Sequence, residues 1–282
     1  MALPETASLL TELNGKSGEN LEYDNLYLGL EELAVPVEAQ EIGDTVGEGR
    51  DADFRTLAKN CLKLWERTRD LRVAAYYTVA ACCNEGLEGL HQGLEMVAYL
   101  IDNLWDEFYP QLDPDDDNDP TERINILNML SPQAGAYGDP VGFINHLRAQ
   151  RLVPELPYTL RDVMIAQGML ESRDEPVDMA LVQGQIRQVP PASLAARQKL
   201  IATLQTQVAD IVAHMNERLG SSGYLNCACL VFLTSLARFF ANHFRCLKSR
   251  SPSEDPALTS IPSIAPSVRS TIKSISRLLE SR

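Results

Sequence analysis

The chain has 282 residues, 45% of them hydrophobic and 23% charged, and a formal net charge of −14. That length admits one large or two modest domains with an ample core, in the composition range of ordinary globular proteins. The acidic balance argues against nucleic acid as a partner, because phosphate recognition needs a concentrated basic footprint.

In chain order, Leu26, Leu30 and Leu33 mark one short amphipathic helix, and a Gly- and acid-rich loop follows from Glu41 to Asp53. Leu57, Cys61, Leu64 and Trp65 form the next helical stripe. Leu71, Ala74, Ala75, Thr78, Val79 and Cys82 form another. Gly86 ends it, since glycine takes the left-handed conformation that a helix stop requires. Leu87 to Tyr109 reads as a longer helix with Leu90, Leu94, Val97, Ile101, Leu104 and Phe108 inward. Ile124, Leu127 and Leu130 carry the helix after it. Such pairs with short corners predict an antiparallel helical array. From Ser131 to Pro157 prolines and glycines break the pattern. Tyr158 to Ala166 fits either a short strand or the start of a helix.

Pro190 and Pro191 precede a long helix in which Leu194, Ile201, Val208 and Met215 recur every seven residues, with Leu204 and Ile211 between them. Tyr224 to Leu247 is apolar nearly all round and is expected to pair with it as a hairpin. Ser249 to Pro266 is a Ser/Pro linker, and Ile272, Ile275, Leu278 and Leu279 form a last short stripe. The expected fold is all-α. Residues 1–165 form an antiparallel multi-helix domain and 170–248 a second helical-hairpin domain, with room for one short β element between them. A linker at 249–266 and the start of a further helix at 267–282 complete the chain. Self-association is expected, if at all, through the 192–247 hairpin, giving a monomer or a small oligomer.

The six cysteines lie mostly in apolar helical stretches, behave as small hydrophobes and suit a reducing compartment. The N-terminus shows no signal peptide, and the apolar run from Leu230 to Phe240 is broken by Arg238 and too short to span a bilayer. The expected location is the cytoplasm, without membrane insertion.

Several arrangements invite chemistry and fall short of it. Gly15-Lys16-Ser17 lacks the earlier glycine of a phosphate loop, since Leu10 stands there. Asp113, Asp115, Asp117 and Asp119 alternate as in a calcium loop. Asn118 and Ile124 stand where that loop needs a glycine and a bidentate glutamate. A structural corner is the better reading, and weak cation binding the alternative. Cys227 and Cys229, with His243 and Cys246, are two apart on an expected helix and face away from one another. The four histidines accompany no nucleophile pattern. The sequence therefore calls for no enzyme, no metal and no cofactor.

Three charged or aromatic blocks stand out. The first is Gly18 to Asp24, with Glu19, Tyr23 and Asp24. The second is Glu66 to Arg72, with Arg67, Arg69, Asp70 and Arg72. The third runs from Leu104 to Arg123 and holds Trp105, Pro110, Leu112, Asp113, Asp115, Asp116, Asp119, Pro120 and Arg123. Asp119 suits the helix N-cap, Pro120 the first helical position, and Glu122 a reach back to the cap amide. Asp70 suits the cap of the helix after it, and an arginine of the second block is expected to pair with the Asp115–Asp119 loop. Trp65, Trp105, Phe108 and Tyr109 are expected in or against the core.

In this order the three blocks resemble the ImpA-type N-terminal domain of TssA-like proteins of the bacterial type VI secretion system, over roughly residues 15 to 155. The resemblance implies a cytosolic, non-enzymatic assembly factor. Its partners would be the baseplate, the membrane complex and the tail tube and sheath, whose growth such proteins help start or coordinate. It also implies a docking-arm role for the N-terminal domain, and a ring-forming C-terminal domain that nothing beyond about residue 170 clearly resembles. The alternatives are an accessory member that caps or stops the sheath, or a helical interaction scaffold outside secretion. The block residues named above are then mainly architectural, with docking as their further use.

Overall fold

The computed structural model describes residues 3–219 apart from 14–15, 38–39, 43–44, 48, 131–140, 167, 169 and 172–176. Two short helices, α1 (Thr6–Leu9) and α2 (Asn25–Leu28), open the chain, and α3 (Leu30–Ala34) follows directly. The Leu26–Leu33 stripe is thus two helical pieces and not one. The break falls at Gly29, whose amide still bonds back to Asn25 at 3.2 Å while the helix re-forms beyond it. Glycine's low helix propensity makes it the weak point.

Strands β1 (Gln40–Ile42) and β2 (Thr45–Gly47) pair antiparallel, Gln40 opposite Gly47, inside the stretch expected as a loop. Val37 and Arg50 exchange both backbone hydrogen bonds at 2.8 Å below the pair. Three-residue strands are too short to show alternation in sequence. The fold remains all-α in class, and this hairpin is its small β element. Near the end of the first expected domain the described residues hold instead a bridge, Arg151 opposite Thr159.

Helix α4 (Phe54–Trp65) starts at Asp53, whose carboxylate accepts from the Thr56 amide at 2.9 Å. Its expected stripe, Leu57, Cys61, Leu64 and Trp65, is buried. Helix α5 (Leu71–Asn103) carries one non-helical residue, Gly86, at φ 71° and ψ −145°. There the chain reverses, so that arms 71–85 and 87–103 lie side by side as an αα-hairpin. The evidence is direct: the Tyr77 hydroxyl donates to Gln92 at 2.5 Å across it. A Cβ on Gly89 would lie 2.1 Å from the Ala81 carbonyl oxygen, and one on Gly93 2.5 Å from the Thr78 Cα. Glycine at both positions lets the two backbones touch.

A 3₁₀ turn (Pro114–Asp116) leads to α6 (Thr121–Asn128), and α7 (Phe143–Arg148), α8 (Leu160–Ala166) and α9 (Met179–Ile186) follow. The 158–166 segment is therefore helical from Leu160 on, with Thr159 before it in a β-bridge, and α7 lies in a stretch whose prolines and glycines hid it. The long helix α10 (Pro191–Leu219) packs along α5. Its heptad residues Leu194, Ile201, Val208 and Met215 are all buried, as are Leu204 and Ile211. Arg197, 5% exposed, ties α10 to α5 through Glu88 at 3.1 Å and to the Leu152 and Arg151 carbonyls. One continuous core runs from Leu9 to Leu219. The expected helix Tyr224–Leu247, the 249–266 linker, the Ile272–Leu279 stripe and the Cys227, Cys229, Cys246 and His243 group lie outside the described residues.

Candidate docking surface

The extended link between α4 and α5 draws the three sequence blocks together. On one side Glu19 donates its amide to the Arg67 carbonyl at 3.0 Å, and Arg69 donates to Ser17 at 2.7 Å. On the other, Leu71 donates to the Tyr109 carbonyl at 2.8 Å and Tyr109 to Arg69 at 2.9 Å. Residues 17–19, 67–71 and 109 thus form a three-stranded crossing built of isolated bridges. Gly18 is required there, because a Cβ would meet the Arg67 carbonyl oxygen at 2.2 Å and φ is +74°.

Each block arginine has its own task. Arg67 spans two carboxylates, Glu19 and Asp24, at 2.8 Å each. Asp24 also caps α2 through the Leu26 amide, and the Arg67 hydrogen bond holds its carboxyl below the usual range. Arg69 is 2% exposed and lies 4.5 Å over the Trp65 ring. It donates to the Thr11 carbonyl at 2.9 Å and 2.6 Å, to that of Thr68, and to Trp65, the last residue of α4. Burial pulls its pKa down. Arg123 is 1% exposed and donates to the carbonyls of Pro110, Trp105 and Phe108 at 2.9, 2.8 and 3.0 Å. Burial lowers its pKa to about 10. Both buried cations therefore satisfy carbonyls freed where a helix ends, which is also where the helix dipole favours positive charge.

Asp70 caps α5, accepting from the Arg72 and Val73 amides at 2.7 and 3.3 Å, as expected. Tyr27 adds a hydroxyl donor at 3.2 Å. Burial outweighs these donors and pushes the carboxyl up to about 6. Arg72 pairs with Glu122 at 2.9 Å. This corrects two expectations: among the described residues no arginine pairs with Asp115, Asp117 or Asp119, and Glu122 is spent on Arg72 and not on a capping box. The loop's carboxylates serve their own backbone, Asp113 accepting from the Asp115 amide at 2.8 Å and Asp119 from that of Thr121 at 3.1 Å. The helix begins one residue later than expected, with Pro120 at its N-cap and Thr121 its first residue.

The aromatic residues take their expected places. Trp65, Trp105 and Phe108 are buried and Tyr109 is half-buried, with Trp105 edge-on to Phe108 at 5.8 Å. Leu112 packs against the core from a half-buried position. Tyr23 is 84% exposed and belongs to none of these contacts. Asp115 is exposed, and the side chain of Asp116 lies outside the described residues. Among the described residues no group of three or more His, Cys, Asp or Glu is placed to hold a metal ion. No described helix is long and apolar enough to cross a membrane.

Beside this corner the structure opens a groove of about 490 Å³ between α2, the start of α3, the start of α5 and α6. Tyr27, Leu28, Tyr76, Ile126 and Met129 give it apolar walls, and Glu31, Arg72 and Glu122 its charged rim. Sequence reasoning missed Tyr27, Leu28 and Tyr76. The one available signal was Tyr27, four residues beyond Tyr23 of the first block.

The chain thus folds as an array of short helices on a glycine-hinged αα-hairpin, closed by buried arginines. Residues 12–132 match the family model described as "ImpA, N-terminal, type VI secretion system". The type VI secretion system component TssA1 of Pseudomonas aeruginosa is 31% identical over 209 residues, 73% of this chain and 58% of that protein. This chain thus spans little more than half the length of that relative. The solved N-terminal domain of the TssA component from Burkholderia cenocepacia, which includes the conserved ImpA_N region, shares the fold. Its TM-score is 0.64 at 19% identity, over 86% of this chain and 95% of that one. The chain belongs to the TssA-like proteins of the type VI secretion system.

Proposed function

We propose that the chain is a non-enzymatic assembly factor of the type VI secretion system, working in the cytoplasm. It docks on the baseplate and membrane complex and helps initiate or coordinate growth of the tail tube and sheath. In this reading residues 1–165 are the docking arm and 170–248 a second helical unit. The observation that carries it is the likeness to TssA1 over 209 residues, which extends well beyond the ImpA-type domain. Arg67, Arg69, Asp70, Asp119 and Arg123 lend support, because their polar ends are spent on caps, carbonyls and ion pairs, which is what a scaffold needs.

The test is capture of the tagged chain from crosslinked, actively secreting bacteria, with the co-captured proteins identified by mass spectrometry. Baseplate, membrane-complex, tube or sheath proteins should be enriched over an untagged strain. Enrichment of none of them overturns the proposal. A sheath-capping role would be recognised by sheath proteins alone, and by longer sheaths when the gene is deleted.

A further inference from the structure

We infer that the groove between α2 and α6 is the seat of a basic amphipathic helix contributed by a protein partner, an inference that rests on the assembly role proposed above. Leu28 is 62% exposed at the groove wall, and Tyr23, just before the cap of α2, is 84% exposed. Neither takes part in the core, although half-buried Leu26 on the same helix packs against it. Short helices α2 and α6 both pack on α5 or its neighbour α4 and leave a trough between them. A trough of this kind suits a helix that lays an apolar stripe against Leu28, Ile126 and Met129.

Charge complementarity sets the partner's polar face. Residues 113–122 hold six carboxylates, Asp113, Asp115, Asp116, Asp117, Asp119 and Glu122, and no lysine or arginine. This run enters α6 at the rim where Glu122 stands, and Glu31 faces the groove from α3. Among the described residues the one cation lining the rim, Arg72, is already paired with Glu122. A helix with lysine or arginine flanking its apolar stripe meets this rim favourably, and an acidic one is repelled.

The probes are two sixteen-residue synthetic helices with the same leucine stripe, one with lysine and one with glutamate on the polar face, titrated calorimetrically into the full chain. The lysine peptide should bind and the glutamate peptide should not. Leu28→Asp and Glu31→Lys should each weaken the lysine peptide at least tenfold with the circular dichroism unchanged. Leu181→Asp, at an exposed leucine of α9 (53%), should not. Equal binding of both peptides, or unchanged affinity in Leu28→Asp, overturns the inference. Leu28-dependent dimerisation of the chain by sedimentation also overturns it, since a second copy would then be the occupant. Capture from secreting cells separates the two proposals. If wild type and Leu28→Asp retrieve the same secretion proteins, the groove is wrong and the assembly role stands. If wild type retrieves none while the lysine peptide still binds through Leu28, the assembly role is wrong and the groove stands.

Discussion

The guanidinium of Arg123 lies 3.7 Å from the centre of the Phe108 ring and donates to the Phe108 carbonyl at 3.0 Å. One side chain thus packs on a residue and satisfies the backbone of the same residue. Two more bonds, to Trp105 and Pro110, complete a knot that fixes the end of α5 against α6.

Removing that knot leaves up to three buried carbonyls without donors. Arg123→Ala should therefore cost about 3 to 5 kcal/mol, and Arg123→Lys at least about 1 kcal/mol, because an ammonium cannot reach three diverging carbonyls at once. Urea denaturation of the two variants measures both. A loss under 1 kcal/mol for Arg123→Ala would mean that water replaces the guanidinium freely.

The glycines of the αα-hairpin reverse the usual helix rule. Alanine normally stabilises a helix by about 1 kcal/mol over glycine. At Gly89 the new methyl would lie 2.1 Å from the Ala81 carbonyl oxygen, so Gly89→Ala should instead destabilise by about 1 to 3 kcal/mol. Gly184 in α9 has nothing within 4 Å of the same position, so Gly184→Ala should stabilise by roughly 0.5 to 1 kcal/mol. The contrast in melting temperature between the two variants is the readout.

Asp70 predicts a pH dependence of known sign. Burial raises its carboxyl from 3.8 to about 6 in the folded chain. The folded state therefore binds more protons than the unfolded state between those values. Asp70's contribution is full below about pH 4 and is lost as pH rises through 6, by roughly 3 kcal/mol in all. Asp70→Asn keeps a good N-cap and removes the titration. The stability of wild type relative to Asp70→Asn should fall between pH 4 and pH 7. A relative stability that rises over the same interval would show that the amides, Tyr27 and Arg72 outweigh burial.

The acidic loop should act as a corner and not as a cation site. Asp119→Ala should cost about 0.5 to 1 kcal/mol through the lost Thr121 amide bond. Millimolar calcium should leave the melting temperature unchanged, and micromolar affinity by calorimetry would contradict this.

Much of this frame was legible from residue order. Helical stripes located α4, both arms of α5 and α10, because their burial pattern repeats within one element. Gly86 and Asp70 announced their turn and cap through local chemistry. The rest depends on pairings that no local pattern encodes. Arg69 and Arg123 look like any charged residues at a helix corner until the fold delivers carbonyls from Thr11 and Pro110. Glu122 reads as a capping-box acid, but Arg72, fifty positions away, claims it. The β1–β2 pair is too brief to alternate, and the groove is a property of the space between α2 and α6, to which their own sequences give no periodic clue.

The central claim is that this chain works as a protein-docking component of a type VI secretion machine. The most direct measurement is fluorescence imaging of sheath assembly in secreting bacteria that lack its gene and are complemented with variants. Deletion should sharply reduce the number of sheaths formed per cell. Wild type should restore it, while Leu28→Asp should fold and fail to restore it. Sheath number and length unchanged by the deletion would contradict the account.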